Sequence, residues 1–288
     1  MSDDTAAAEP EPQGGWDRAA EGWGRRRAEF ERFARPVAHW LVEAIEPQPG
    51  HRLLELAAGV GETGFLAFEI AAPGGGSLTC TDASEHMLTQ ARSRAAQLGL
   101  VDRVEFKLMR AEWIDAELAS IDGVLCRFGL MLCEDPAAAL REARRVLRPG
   151  GRIAAAVWDE RARNPHLAVF ADVLAERGLA PAPAPRRGEP GPFALSDRAL
   201  LAELFADAGF ASVQTRSIDL VQRAASFDAW WEAHLELSPS ARAWLAALPL
   251  AAVSDVRNAV RERLESFTAG EDGSLLVPAL ALAASAEA

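Results

Sequence analysis

The chain has 288 residues, 49% apolar and 25% charged, an ordinary globular composition and a length that suits one large domain, or one with an inserted lobe, without a disulfide or metal staple. Lys+Arg number 30 and Asp+Glu 42, a net charge of −12, which removes the electrostatic footprint of a nucleic-acid binder. No apolar run reaches the roughly 18 residues of a membrane span, and the acidic, Pro/Gly-rich start MSDDTAAAEPEPQGG lacks the basic region and apolar core of a signal peptide.

Residues 1–14 are expected to be a disordered tail. From Trp16 to about Ile45 the residues Phe30, Phe33, Val37, Trp40, Leu41 and Ala44 recur at three- and four-residue steps, the pattern of an amphipathic helix. Arg25-Arg26-Arg27 within it reads as a solvated face. Pro47-Gln48-Pro49-Gly50 ends this 15–49 segment. Leu53–Leu56 is a short buried strand, Glu62–Ala71 a helix, Ser77–Thr81 a second strand ending at Asp82, and Ser84 opens a helix to about Leu98. Val104–Leu108 and Ile121–Phe128 are the third and fourth strands. A helix starts at Asp135-Pro136, with proline at its first position, and stops at Arg148-Pro149-Gly150-Gly151 before a fifth strand, Arg152–Trp158. Strands alternating with helices predict a doubly wound α/β sheet.

The second half departs from that rhythm. Residues 180–192 form a Pro-rich loop, Ser196-Asp197 caps a helix to Gly209, and Ala211–Gln222 reads as a strand. Residues 226–270 are mostly helical and carry Trp230, Trp231 and Trp244; they are expected to be a helical cap. Leu275–Ala284 is the last strand, with Pro278 placed at its start because proline cannot donate to a ladder. Cys80, Cys126 and Cys133 show no metal-ligand spacing and read as free thiols in a reducing cytoplasm; no metal site is expected.

The chemistry centres on residues 53–65, LLELAAGVGETGF. Gly59, Gly61 and Gly64 spell G-x-G-x-x-G, a dinucleotide-loop pattern in which a helix N-terminus receives pyrophosphate. Two carboxylates argue against phosphate: Glu55 on the strand and Glu62 at the start of the helix. A cationic ligand pairs with them, whereas a pyrophosphate is repelled. S-adenosylmethionine, with a sulfonium, an ammonium and no phosphate, fits this charge better than NAD. Asp82 accepts hydrogen bonds from ribose hydroxyls in either case.

LLELAAGVGETGF resembles motif I of the class I S-adenosylmethionine-dependent methyltransferases. LTCTDASEHML looks like their second motif, and IDGVLCRFGLMLCEDPAAALREARRVLRPGGRIAAAVW like their fourth strand, following helix and fifth strand. The strong resemblance covers roughly residues 50–160 and is similar to the ubiquinone/menaquinone-biosynthesis-like branch. It implies a Rossmann-like seven-stranded sheet with its last strand antiparallel, built from 50–225 and 271–288, with 15–49 as an N-terminal helical lid and 226–270 as a helical cap. It also implies a cofactor-binding set of Glu55, Ala57, Gly59, Gly61, Asp82, Ala83, Ser84, Met87, Ala111, Glu112, Trp113, Cys126 and Arg127. Arg110 departs from the pattern, standing where family members often carry an acidic residue for the adenine amino group; Glu112 or a backbone carbonyl then substitutes.

Several of these residues have a plain structural alternative. Asp82 binds ribose or caps a helix, and Glu55 meets the amino group or orients the loop. Trp16 and Trp23 lid the site or anchor the first helix. His166, after strand five, deprotonates or orients a substrate, or is a surface histidine. Trp230 and His234 line a substrate pocket, or His234 packs under Trp230. The expected function is methyl transfer from S-adenosylmethionine, with S-adenosylhomocysteine as product, to a small apolar or aromatic O-, C- or N-acceptor in secondary metabolism. No nucleic-acid or membrane partner is expected, and a homodimer stays open. The rivals are the same fold and cofactor in cyclisation or decarboxylation, an NAD(P)-dependent oxidoreductase, and a non-enzymatic interaction module.

Overall fold

The structure, a computed structural model, describes residues 12–180, 189–269 and 272–288, with only the helical backbone for residues 12–14. In chain order the elements are α1 (Pro12–Ile45), β1 (Arg52–Glu55), α2 (Thr63–Ala71), β2 (Ser77–Asp82), α3 (Glu85–Gln97), β3 (Val104–Leu108), β4 (Ile121–Arg127), α4 (Pro136–Val146), β5 (Leu147–Trp158), α5 (Pro165–Glu176), α6 (Arg198–Asp207), β6 (Ala211–Ala224), α7 (Phe227–Leu237), α8 (Pro239–Ala246), α9 (Leu250–Leu264), β7 (Thr268–Ala269) and β8 (Ser274–Glu287). Of the tail expected over 1–14, residues 1–11 lie outside the described residues, and α1 is already helical at Pro12.

The sheet order is β3-β2-β1-β4-β5-β8-β6, with β7 a short addition to β8. Strands β1 to β5 are parallel, and β8 runs antiparallel between β5 and β6. This is the expected Rossmann-like sheet with its last strand reversed. Over β1–β5 the strand–helix alternation fails once: no helix lies between β3 and β4, which are joined by a loop. β4 nevertheless pairs with β1 on the side away from β2. The winding therefore reverses at β1/β4, and the crevice at their carboxyl ends is where such sheets bind ligands. No helix among the described residues is long and apolar enough to cross a membrane.

Local chemistry sets the helix starts. Ser84 accepts from Met87 N–H to cap α3, Asp135 accepts from Ala138 N–H to cap α4 with Pro136 next, and Asp197 caps α6. Each satisfies a donor that the first turn leaves free. Alanine-rich β5 (Ala154–Ala156) and β8 (Ala281–Ala284) sit side by side, and Ala34, Val37 and Leu41 of α1 join their core. Small side chains there let the long helix lie close on the sheet. Pro36 within α1 is on its exposed face, where a lost helical hydrogen bond is replaced by water. Pro278 is inside β8 and not at its start: it pairs opposite Val221, in the stretch before β5 begins to pair at Ala281, so that edge of β8 loses nothing to a missing donor.

The 226–270 helices build a second core with α5. Trp230, Trp231, Val256 and Val260 pack with Val169, Phe170 and Val173. The insertion touches the first helix through Trp23 Nε1, which donates to Leu237 O (3.1 Å), and Arg26 Nε, which donates to Glu236 (2.7 Å). A Cβ on Gly22 would stand 2.5 Å from Glu236 O, so glycine is what permits this approach. The insertion thus buttresses α1 and α5, and none of its described residues lines the cavity at the crevice.

Candidate ligand site at the sheet crevice

A cavity of about 570 Å³ opens at the carboxyl ends of β1, β2 and β4. Its floor is the 57–60 loop, its walls come from residues 109–112 and 127–134, and Trp16, Trp23 and Phe30 of α1 cross it. Helix α1 is pinned near its start. Asp17 accepts from Ser84 Oγ and lies 3.2 Å from His86 Nδ1, both at the beginning of α3. Trp23 packs edge-on to Phe30 at 4.7 Å.

The three motif glycines do three different jobs. Gly59, at φ +56, faces the cavity, and a Cβ there would meet nothing within 4 Å. A Cβ on Gly61 would fall 2.7 Å from the Phe65 ring, and one on Gly64 2.6 Å from Glu55 Oε2. Only the first glycine leaves room for a ligand; Gly61 lets the loop close on Phe65 of α2 and Ala91 of α3, and Gly64 lets α2 sit tightly on the sheet. A fourth glycine matters as much. Gly129 lines the cavity, and a Cβ there would collide with Ala57 Cβ and stand 3.1 Å from Cys126 Sγ.

Asp82 ties this floor together. One oxygen accepts from Gly59 N–H (2.8 Å) and the other from Ser84 N–H (2.9 Å), so Asp82 holds the loop, and it also lines the cavity. Burial raises its pKa against the lowering by these bonds. Glu55 is 2% exposed, and burial raises its pKa to about 7, against lowering by Arg127, the Gly64 N–H and Cys80. It lines the cavity as a carboxylate with no ion-pair partner among the described residues.

Glu62 overturns part of the charge argument. It precedes α2 without capping it, and its carboxylate lies 2.5 Å from Arg127 Nη1 in a nearly buried pair. The Arg127 guanidinium also lies over the Phe30 ring at 5.3 Å. A paired Glu62 does not repel phosphate, so the preference for a cation rests on Glu55 alone. At the mouth, Arg110 pairs with Glu134 (3.0 Å) and Glu112 (3.5 Å), and one Glu112 oxygen accepts from Glu134 N–H (2.9 Å). That oxygen of Glu112 is therefore already engaged.

Trp16, Trp23, Glu55, Ala57, Gly59, Asp82, Ala83, Met87, Ala111, Glu112 and Arg127 all line the cavity. The other residues singled out from the sequence do not. Gly61 and Ser84 support the loop and the α3 cap from outside it. Trp113 is 77% exposed, and Cys126 lies buried behind Gly129. His166 is no surface histidine: it is 3% exposed and packed against Phe33 and Trp158. Trp230 and His234 stack on each other in the second core. Sequence reading missed Phe30, Phe128, Gly129, Met131, Pro190 and Pro192 as lining residues. Phe128 and Gly129 directly follow β4, a position the switch-point rule marks; the prolines, in a loop far along the chain, carry no such signal.

Residues 56–155 match the methyltransferase domain family model. The chain is similar to a ubiquinone/menaquinone biosynthesis C-methyltransferase (UbiE) of Acidiphilium cryptum, 38% identical over 112 residues, 39% of this chain and 44% of that one. It is also similar to an uncharacterized protein of Mycobacterium tuberculosis, 32% identical over 158 residues, 55% of this chain and 56% of that one. The chain thus spans about half the length of these relatives. In fold it is similar to the YcgJ protein of Bacillus subtilis (TM-score 0.55, 18% identity, 87% and 97% of the chains) and to a geranyl diphosphate methyltransferase in complex with SAM (TM-score 0.53, 18% identity, 99% and 95%).

Proposed function

Because the chain carries a class I S-adenosylmethionine-dependent methyltransferase domain, we propose that it transfers a methyl group from S-adenosylmethionine to a small, mostly apolar or aromatic acceptor. The observation that carries this is the Glu55 carboxylate, without an ion-pair partner, in the wall of a cavity whose floor is the open Gly59 loop held by Asp82. A buried carboxylate without a cation is costly, and an ammonium group relieves it. Asp82 has lone pairs left for ribose hydroxyls, and no Cβ at residue 59 obstructs the approach of a ligand. The residues present therefore fit the cofactor, with Glu55, Gly59, Asp82, Ala83 and Met87 around it and Met109–Glu112 at its adenine end.

The cofactor, when bound, supplies an already activated methyl group, so the protein's work is positioning and exclusion of water. Trp16, Trp23 and Phe30 cover the cavity, while Phe128, Met131, Pro190 and Pro192 extend its apolar wall. These replace the insertion tryptophans as the support for an apolar acceptor. No histidine lines the cavity among the described residues, so none is assigned as base. The acceptor sets whether oxygen, carbon or nitrogen is methylated. Incubating the protein with methyl-labelled S-adenosylmethionine and a panel of phenols, quinols and prenyl alcohols is expected to release S-adenosylhomocysteine only with small acceptors. Label appearing in protein or nucleic acid alone contradicts the reading; cofactor binding with cyclised or decarboxylated products and no label transfer favours the repurposed fold.

A further inference from the structure

We propose that His166 is a specificity-determining contact for the acceptor, reached when aromatic rings packed behind the cavity wall at Phe30 and Phe128 give way; this rests on the methyltransferase reading above. Both phenylalanines line the cavity, with ring centroids 6.3 Å apart.

Phe128 stacks on Trp158 at 4.0 Å, and Phe33, next to Phe30 at 6.0 Å, stacks on the same indole at 6.0 Å. Trp158 and Phe33 in turn meet the His166 ring edge-on at 4.9 and 5.5 Å. A continuous set of packed aromatic rings thus lies between the cavity wall and one imidazole. That imidazole is 3% exposed, and neither of its nitrogens has a hydrogen-bond partner. A neutral imidazole offers one donor and one acceptor, and leaving both dry costs free energy that a leucine would not incur. A ligand group admitted past these rings supplies the missing partner.

Trp158 stands directly against this imidazole, and in front of it, in the cavity wall, stands Phe128. Its φ is +58°, a left-handed conformation that a bulky side chain seldom adopts and that gathers at ligand sites. On this proposal the Phe128 and Trp158 rings both swing aside to admit the acceptor. Burial holds the pKa of His166 at about 3, so near neutral pH it acts by hydrogen bonding and takes no proton. The two arginines of the cavity wall, Arg110 and Arg127, are both paired with glutamates, which leaves an anionic acceptor group without a cation there. The ligand class is therefore a flat apolar or aromatic body carrying one neutral hydroxyl or carbonyl.

The test uses the full chain saturated with S-adenosylhomocysteine and titrated with 2-naphthol and with naphthalene, while the imidazole nitrogen signals of the histidines are followed by NMR. The expected result is 2-naphthol binding about tenfold tighter than naphthalene, the worth of one hydrogen bond, with a shift of the His166 signal. His166→Leu is expected to abolish that preference without weakening S-adenosylhomocysteine, and His166→Gln to restore part of it. An equal affinity for the two probes in the wild type, or a preference that survives in His166→Leu, overturns the proposal and leaves the methyltransferase reading standing. Failure of S-adenosylhomocysteine itself to bind overturns both.

Discussion

Replacing Glu55 with glutamine is expected to stabilise the ligand-free protein at pH 8 and to remove the pH dependence of cofactor binding. Burial raises the Glu55 pKa from 4.5 to about 7. The unfolded state therefore loses its proton first as pH rises. The favourable contribution of the protonated carboxyl is complete below about pH 4.5 and is lost as pH climbs through 7. The shift corresponds to about 3 kcal/mol, so Glu55→Gln should gain up to roughly that much at pH 8 and nothing at pH 4. Binding should move the other way. An ammonium group beside residue 55 favours the ionised carboxylate, so S-adenosylhomocysteine should bind the wild type about tenfold tighter at pH 8 than at pH 6. Denaturant unfolding and calorimetry at the two pH values check both halves. Identical pH profiles for the wild type and Glu55→Gln would remove Glu55 from the binding account.

The second large effect is acid destabilisation from the two buried histidines. His166 is held at about pKa 3 and His234 at about 4, both by burial, with His234 adding to the depression of His166. Around them stand Phe33 of α1, Trp158 of β5, Phe170 of α5 and Trp230 of α7, none of which can accept a proton or form an ion pair. Both pKa values lie below the unfolded value of 6.5. Stability is therefore full above 6.5 and falls as the unfolded chain takes up protons below it. At pH 4.5 each histidine should cost about 2–3 kcal/mol relative to pH 7. Glu55 acts in the opposite sense over part of this range, so the comparison that isolates the effect is with His166→Leu. That variant should lose distinctly less stability between pH 7 and 4.5 than the wild type; parallel losses would show that His166 is not buried as a neutral ring.

Much of the fold was legible because its signals are local. Short apolar runs marked β1 to β5, Ser84 and Asp135 marked helix starts, and the glycine loop marked the crevice. The residues that sequence reading misplaced depend on long-range packing. Glu62 reads as a free charge at a helix start until Arg127, at the far end of β4, is seen to pair with it. Trp230 and His234 have the composition of a pocket lining, yet they build a core with α5 and lie away from the cavity. His166 reads as exposed because it opens a helix after a loop, and only the packing of α1 over β5 buries it. Pro190 and Pro192 reach the cavity from the end of the Pro-rich 180–192 loop, far along the chain from the glycine loop.

The most direct test of the central claim is calorimetric titration of the wild type and of Gly129→Ala with S-adenosylhomocysteine and with NAD(P). The added methyl group would collide with Ala57 Cβ in the cavity wall. The account predicts micromolar S-adenosylhomocysteine binding by the wild type, at least about tenfold weaker binding by a folded Gly129→Ala, and no NAD(P) binding. Tight NAD(P) binding, or S-adenosylhomocysteine binding that Gly129→Ala leaves unchanged, would contradict it.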